Sequence, residues 1–531
     1  MVEETLIRGG LVVDGTGAAR TRADVGIVGS RIVAIGRDLP ASRARIIDAR
    51  DQIVAPGFID IKTHSDWTLP LMPLCESKVR QGVTTEVIGH CGYSCAPVLA
   101  GKAEALASYL GPSAPWLDFR ETTFADYVAS FPATSVNRVM LVGHNTIRLM
   151  VMGLEDRPPE PRELEIMRRM VVEALDAGAV GMSSGLFTPP GAFTETDELV
   201  ALGTVLRERG ALYFTHLRDE ADQVDEAVDE AIEFAGRTAV HVQIVHIKLS
   251  GMDNWGSAGE LLEKLSAARA RGIAIDCDQY PYTAASNPLK NLFPPWLQEG
   301  GTEAMLARLG SDKIRNELRA AIKENGLNNF GRVPGWGAVR ISISPNLPDH
   351  AGNTIAEIAV GRGADAFQTA CDFLAEDRGQ TRVLVESISE EDVREFVRSP
   401  DVMVGSDGNS IAPYGTTSQG RPHPRFYGTF ARVLGRYVRD EDLLPLEVAL
   451  HKMTGLPARI LGLNDRGVLR VGAAADITIF DPVTIAERAT YENPHQYAAG
   501  IAHVFVNGTQ VIEDGEHTGA LPGTTLKRRA A

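Results

Sequence analysis

Apolar and polar positions divide the chain into three kinds of pattern. Near the start, short segments such as Ile32-Val33-Ala34-Ile35 lie between turn signals at Asp14-Gly15 and Gly29-Ser30, which predicts small β strands from residue 1 to about 58. A similar texture returns at the far end, in Val468-Leu469-Arg470-Val471, Ile477-Thr478-Ile479-Phe480 and Val504-Phe505-Val506-Asn507-Gly508. Short strands at both termini need a partner sheet to bury their faces, so residues 1–58 and 466–531 are expected to form one β-sandwich. Between them, an opening strand near residue 59 and runs at 83–89, 139–142, 180–183, 212–215, 242–245, 272–276 and 402–405 alternate with helical patterns. One such helix begins at Pro161, places Leu164, Met167, Val171 and Ala174 near one face, and stops at Gly178.

Eight strands separated by helices predict an α/β architecture, a TIM-like (β/α)₈ barrel over residues 59–465. The spacing breaks once. More than a hundred residues separate about Asn287 from Pro400, too many for a barrel loop, and an inserted subdomain at about 287–400 is expected before the last strand.

Composition narrows the function. With 53 Lys and Arg against 69 Asp and Glu, the net charge of −16 argues against nucleic acid or an anionic membrane as partner. Met1-Val2-Glu3-Glu4 lacks the start of a signal peptide and no apolar run would span a bilayer, so a cytoplasmic location is expected. Five cysteines in 531 residues make no disulfide framework.

The polar residues fall at the strand ends. Cys91 follows the second strand, His216 ends the fifth, His246 ends the sixth and Asp407 follows the eighth. In a barrel these ends meet in one pocket. Taken singly, Cys91 reads as a small core residue, each histidine as a hydrogen-bonded core group and Asp407 as a turn or cap. Together they read as one site. Zinc accepts thiolate and imidazole ligands with a position left for water, and a carboxylate beside it can move a proton, which is the chemistry of C–N bond hydrolysis. Arg425 offers a planar fork for a carboxylate and Lys248 a point charge.

The stretch Pro56-Gly-Phe-Ile-Asp60 resembles the opening of amidohydrolase superfamily enzymes, where His-x-His follows; here Lys62 replaces the first histidine and His64 remains. The chain as a whole is similar to the N-acyl-D-amino-acid deacylases (the D-aminoacylase family). The resemblance is carried by Gly82-Val-Thr-Thr85, Gly89-His-Cys-Gly92, Gly143-His-Asn-Thr-Ile-Arg148, Tyr280-Pro-Tyr282, Gly405-Ser-Asp-Gly408 and Arg421-Pro-His-Pro-Arg425 with Gly428-Thr-Phe430. It implies a metal-dependent amidohydrolase that releases a carboxylate and a free D-amino acid. Cys91, His216 and His246 are then the zinc ligands and Asp407 the general acid/base. Lys248, Tyr280, Ser286 and Arg425 face a small-molecule substrate and its carboxylate, with Tyr282 as the alternative to Tyr280. The same resemblance places a second metal position at the opening strand. With Lys62 beside His64 that position is expected to be vacant, leaving one zinc per chain. Lys62 could pair with Asp407 or Asp66, fill the space of the missing ion, or meet a substrate anion.

Two other readings compete. One is an amidohydrolase for another amide, a cyclic amide or a carbamate; its hydantoinase-like form wants a bridging lysine at the fourth strand, where Gly181-Met-Ser-Ser184 has none. The other is a non-catalytic metal-binding relative, which an intact Asp407 disfavours.

Overall fold

The computed structural model describes residues 4–41 and 44–528; the first three residues, on which the reading of the N-terminus rested, lie outside the described residues. Eight parallel strands form the barrel: β1 (Phe58–Asp60), β2 (Val83–Ile88), β3 (Asn137–Gly143), β4 (Gly181–Gly185), β5 (Leu212–His216), β6 (Val242–Ile244), β7 (Ile275–Gln279) and β8 (Val402–Val404). Each pairs with the next in chain order, from β1 through β8. The ring closes just past the ends of β1 and β8, where Thr63 bridges Gly408, Asp407 donates its N–H to the Lys62 carbonyl at 2.9 Å and His64 donates to Gly408 at 3.0 Å.

These strands are buried on both faces; β1, β3, β6 and β8 are mainly apolar, while β2, β4, β5 and β7 also bury polar residues such as Thr84, Glu86, Ser183, Thr215 and Asp278. Ile59, Val87, Leu141, Phe214, Val245 and Met403 fill the interior in one cluster. Phe58 points outward, where its ring lies 5.7 Å from Phe430. The (β/α)₈ barrel is as expected, with one shift of register: β7 starts at Ile275 rather than at Gly272. Gly272 has φ +85° and turns the chain after the helix Ala258–Ala270, so that residues 272–274 are spent returning to the barrel.

The termini share a single nine-stranded sheet in which Ile477–Phe480 pairs antiparallel with Ile53–Pro56. It encloses a core of its own, including Ile7, Val25, Ile32, Val54, Ile477 and Ile479. Between β7 and β8 the chain builds a separate antiparallel sheet, with Arg382–Glu386 flanked by Ala284–Pro288 and Val339–Ile343. Four helices, Thr302–Leu309, Asp312–Asn325, Ile355–Arg362 and Ala366–Glu376, cover it over a further core with Phe293, Ile341 and Phe373. Among the described residues no helix is long and apolar enough to cross a membrane.

Candidate functional site

Glycine sets the position of the first site residue. Gly89 follows β2 with φ +86°, and a Cβ there would lie 2.2 Å from the Leu141 carbonyl oxygen. Only glycine allows this close turn, which delivers Cys91 to the barrel mouth. Three site residues carry left-handed backbone themselves: Cys91 at φ +55°, His246 at +39° and Asp407 at +49°. Such conformations cost of order 1–3 kcal/mol each and persist where the surroundings enforce them. For His246 part of the enforcement is visible, since its N–H donates to Asp278 Oδ1 at 2.9 Å.

The structure brings Cys91, His216 and His246 together. Cys91 Sγ lies 3.6 Å from His216 Nδ1 and 3.3 Å from His246 Nε2, and all three residues are buried. A tetrahedral zinc with bonds of about 2.3 Å to sulfur and 2.0 Å to nitrogen requires sulfur–nitrogen separations of about 3.5 Å. The donor set therefore fits zinc in both chemistry and spacing. Burial keeps both imidazoles well suited as neutral ligands, pushing the pKa of His216 down and that of His246 far down, the latter with help from Lys248.

Glu220 was not singled out from the sequence, yet it organises the ligands. Its Oε2 lies 3.3 Å from His216 Nε2 and its Oε1 3.1 Å from His246 Nδ1, so one carboxylate faces the outer nitrogen of both rings. Asn329, from the inserted region, donates to Glu220 Oε2 at 3.0 Å, and Lys248 donates to Oε1. Burial would raise the Glu220 pKa, but His216, Lys248 and His246 outweigh it and hold the carboxyl well below the usual range. The i, i+4 spacing of His216 and Glu220 was a signal; nothing local marked Asn329. An outer carboxylate fixes ring orientation and tautomer and makes the ligand more basic. Glu220→Gln should therefore weaken zinc binding about 10- to 100-fold. Competition with a chelator would measure this, and unchanged affinity would remove Glu220 from the metal's support.

Lys248 differs from expectation. It lines the pocket, but its ammonium is already answered by Glu220 and lies 2.9 Å from His246 Nδ1. It is not the free point charge that its sequence position suggested.

The second group gathers at Asp407. Lys62 Nζ bonds Asp407 Oδ1 and sits 2.7 Å from His64 Nε2, while Arg425 Nη2 reaches Asp407 Oδ2 at 2.7 Å. Of the partners open to Lys62, the structure shows Asp407. Burial alone would raise the Asp407 pKa; Arg425 and Lys62 overcome it and hold the carboxylate ionised. His64 is pushed down to about 3 by burial and then by Lys62, and its ring stacks on Trp67 at 4.5 Å.

Arg425 is 2% exposed and lies over the Tyr280 ring at 4.5 Å. Its Nε and Nη1 have no partner among the described residues, leaving two buried donors beside the pocket. Tyr280 and Ser286 line the same pocket. The Tyr282 hydroxyl is instead engaged by Glu487 at 2.9 Å, so Tyr280 is the tyrosine at hand. Outside the site, His144 pairs with Glu198 at 2.8 Å, and the buried His90 ring packs edge-on to Phe214. Arg382, also unforeseen, sits on the pocket wall.

Residues 45–512 match the amidohydrolase family. The chain is 38% identical over 99% of its length to the N-acyl-D-glutamate deacylase of Alcaligenes xylosoxydans xylosoxydans, covering 97% of that protein. Among solved structures it is similar to a D-aminoacylase described as having a binuclear metal centre with one-metal activation and second-metal attenuation. That likeness has 35% identity, a TM-score of 0.82 and 99% coverage of both chains. It is also similar to the N-acyl-D-glutamate deacylase of Bordetella bronchiseptica, complexed with zinc and a phosphonate mimic of the tetrahedral intermediate, at 36% identity, a TM-score of 0.81 and 99% coverage of both chains.

Proposed function

The chain belongs to the amidohydrolase family, and we propose that it hydrolyses the linear amide bond of N-acyl-D-amino acids with one zinc ion held by Cys91, His216 and His246. The observation that carries the reading is the adjacency, in one pocket, of that ligand set, an ionised Asp407 and an Arg425 with two open donors.

Zinc at this position supplies a Lewis acid for the amide carbonyl and lowers the pKa of water. The remaining work falls to the protein. Asp407, kept ionised, takes the proton of the attacking water and returns it to the leaving amine. Arg425 presents Nε–H and Nη1–H to the substrate carboxylate, with Tyr280 and Ser286 shaping the same wall. Glu220 and Lys248 hold the His216 and His246 rings from behind.

Activity on N-acetyl-D- and L-amino acids, with dipeptides and cyclic amides beside them, tests the assignment. Turnover of the D-series is expected; hydrolysis confined to cyclic amides would replace it with another amidohydrolase activity.

Lys62 determines the metal count in this reading. Its ammonium lies between His64 and Asp407, where it supplies the positive charge that a second ion would bring. At saturating zinc the protein should hold about one zinc per chain, and Lys62→His, which restores His-x-His, should hold about two. Elemental analysis showing two in the unmodified protein, or no gain in the variant, would show that the lysine does not stand in for the ion.

A further inference from the structure

Between the sandwich strands Ile477–Phe480 and Ile501–Val506 the chain leaves the sandwich and packs on the helix Arg425–Arg432. Ala489 shares a cluster with Tyr427 and Ile411, and the Tyr497 ring lies 5.7 Å from that of Tyr427. Glu487 comes from the same loop. Its Oε2 accepts the Tyr282 hydroxyl at 2.9 Å, and its Oε1 accepts from the Arg432 guanidinium.

Arg432 and Arg425 stand two turns apart on one helix and so share a face. Each covers one ring of Tyr280-Pro-Tyr282: Arg432 lies 4.7 Å over Tyr282, and Arg425 lies 4.5 Å over Tyr280. Glu487 closes the first pair, and the second faces the pocket. The two pairs are joined mechanically. Tyr282 donates its N–H to the Tyr280 carbonyl at 2.9 Å, which makes one tight turn of the two tyrosines. The His423 ring meets Tyr280 and Tyr282 edge-on at 6.2 and 5.1 Å, and its Nδ1 accepts the Arg425 N–H at 3.0 Å. A Cβ on Gly428 would lie 2.8 Å from the Tyr282 hydroxyl oxygen and 2.9 Å from Glu487 Cβ, so the helix comes this close only with glycine there.

We propose that Glu487 is a positioning residue for recognition of the substrate carboxylate: it anchors Tyr282 and Arg432, and through the shared turn and the shared helix it fixes Tyr280 and Arg425. This rests on the reading above, in which Arg425 takes the carboxylate. Without Glu487, Arg432 still has the Glu390 carboxylate at 3.9 Å and turns toward it, off the Tyr282 ring. The helix loses its anchor but no buried charge is stranded, so the fold should hold. Asp407 keeps Lys62 on Oδ1 even where Arg425 loosens on Oδ2, which leaves the proton carrier in place. The effect therefore falls on binding more than on turnover.

The test is steady-state kinetics of the zinc-loaded protein on the N-acetyl-D-amino acid turned over fastest in the panel above. Glu487→Ala should raise KM about tenfold, with kcat within about threefold and zinc content unchanged, as when ground-state and transition-state binding weaken together. Tyr282→Phe removes the hydroxyl, keeps the ring under Arg432 and should move KM the same way. Glu487→Gln keeps an oxygen for that hydroxyl and should recover part of the loss. These two variants decide the matter if Glu487→Ala fails to fold. A purely structural brace would lower Tm and leave KM where it was; unchanged KM in the folded variants, or a loss confined to kcat, would overturn the positioning role. Arg425→Lys is measured alongside. If it leaves KM unchanged, the carboxylate assignment of Arg425 falls; if it raises KM while Glu487→Ala does not, only the role of Glu487 falls. Failure of the unmodified protein to hydrolyse any N-acyl-D-amino acid would instead remove the deacylase reading itself.

Discussion

Cys91→Ala is expected to yield a folded protein that holds no zinc and shows no measurable deacylation. Bound to zinc, Cys91 would be the sole thiolate of the set, and the two imidazoles left behind are neutral and cannot supply its charge. The thiol packs at the top of the barrel interior with Ile59, Val87 and Leu141, so removing one sulfur leaves a methyl-sized gap costing about 1 kcal/mol. The fold should tolerate that loss. Elemental analysis and circular dichroism on the same sample separate the two effects. Zinc content equal to that of the unmodified protein would sink the ligand assignment, whatever the activity.

The barrel was legible because eight short strand-like runs, each stopping at a turn, alternate with helical patterns along the chain. Polar residues at those stops, Cys91, His216, His246 and Asp407, were legible for the same reason. What escaped was decided by distant contacts. Lys248 looked free because its partner Glu220 comes from another strand end and only the fold sets them against each other. Asn329 and Arg382 belong to the inserted region, where the rule that strand ends face the pocket does not apply. Arg382 sits within an ordinary strand pattern, Arg-Val-Leu-Val-Glu, and gains significance only from the pocket that its guanidinium meets. The late start of β7 has a local cause: the glycine after a helix takes residues for the turn before the strand can pair.

Asp407→Asn should keep its zinc and lose turnover by about a hundredfold or more, the contribution of a positioned proton carrier. The substitution also has a structural cost that must be separated from the chemical one. Asp407 answers Lys62 on one oxygen and Arg425 on the other, so a neutral amide leaves two buried cations without a counterion. Breaking a buried pair this way costs about 3–5 kcal/mol, enough to lower Tm and to depress activity for reasons unrelated to proton transfer. The double variant Lys62→Met/Asp407→Asn resolves the ambiguity. Removing the lysine charge together with the carboxylate relieves the imbalance, so Tm should return toward that of the unmodified protein. Turnover should stay at the level of Asp407→Asn, because no group remains to take the proton of water. Were the double variant to regain turnover along with stability, Asp407 would be a counterion for Lys62 and not the proton carrier.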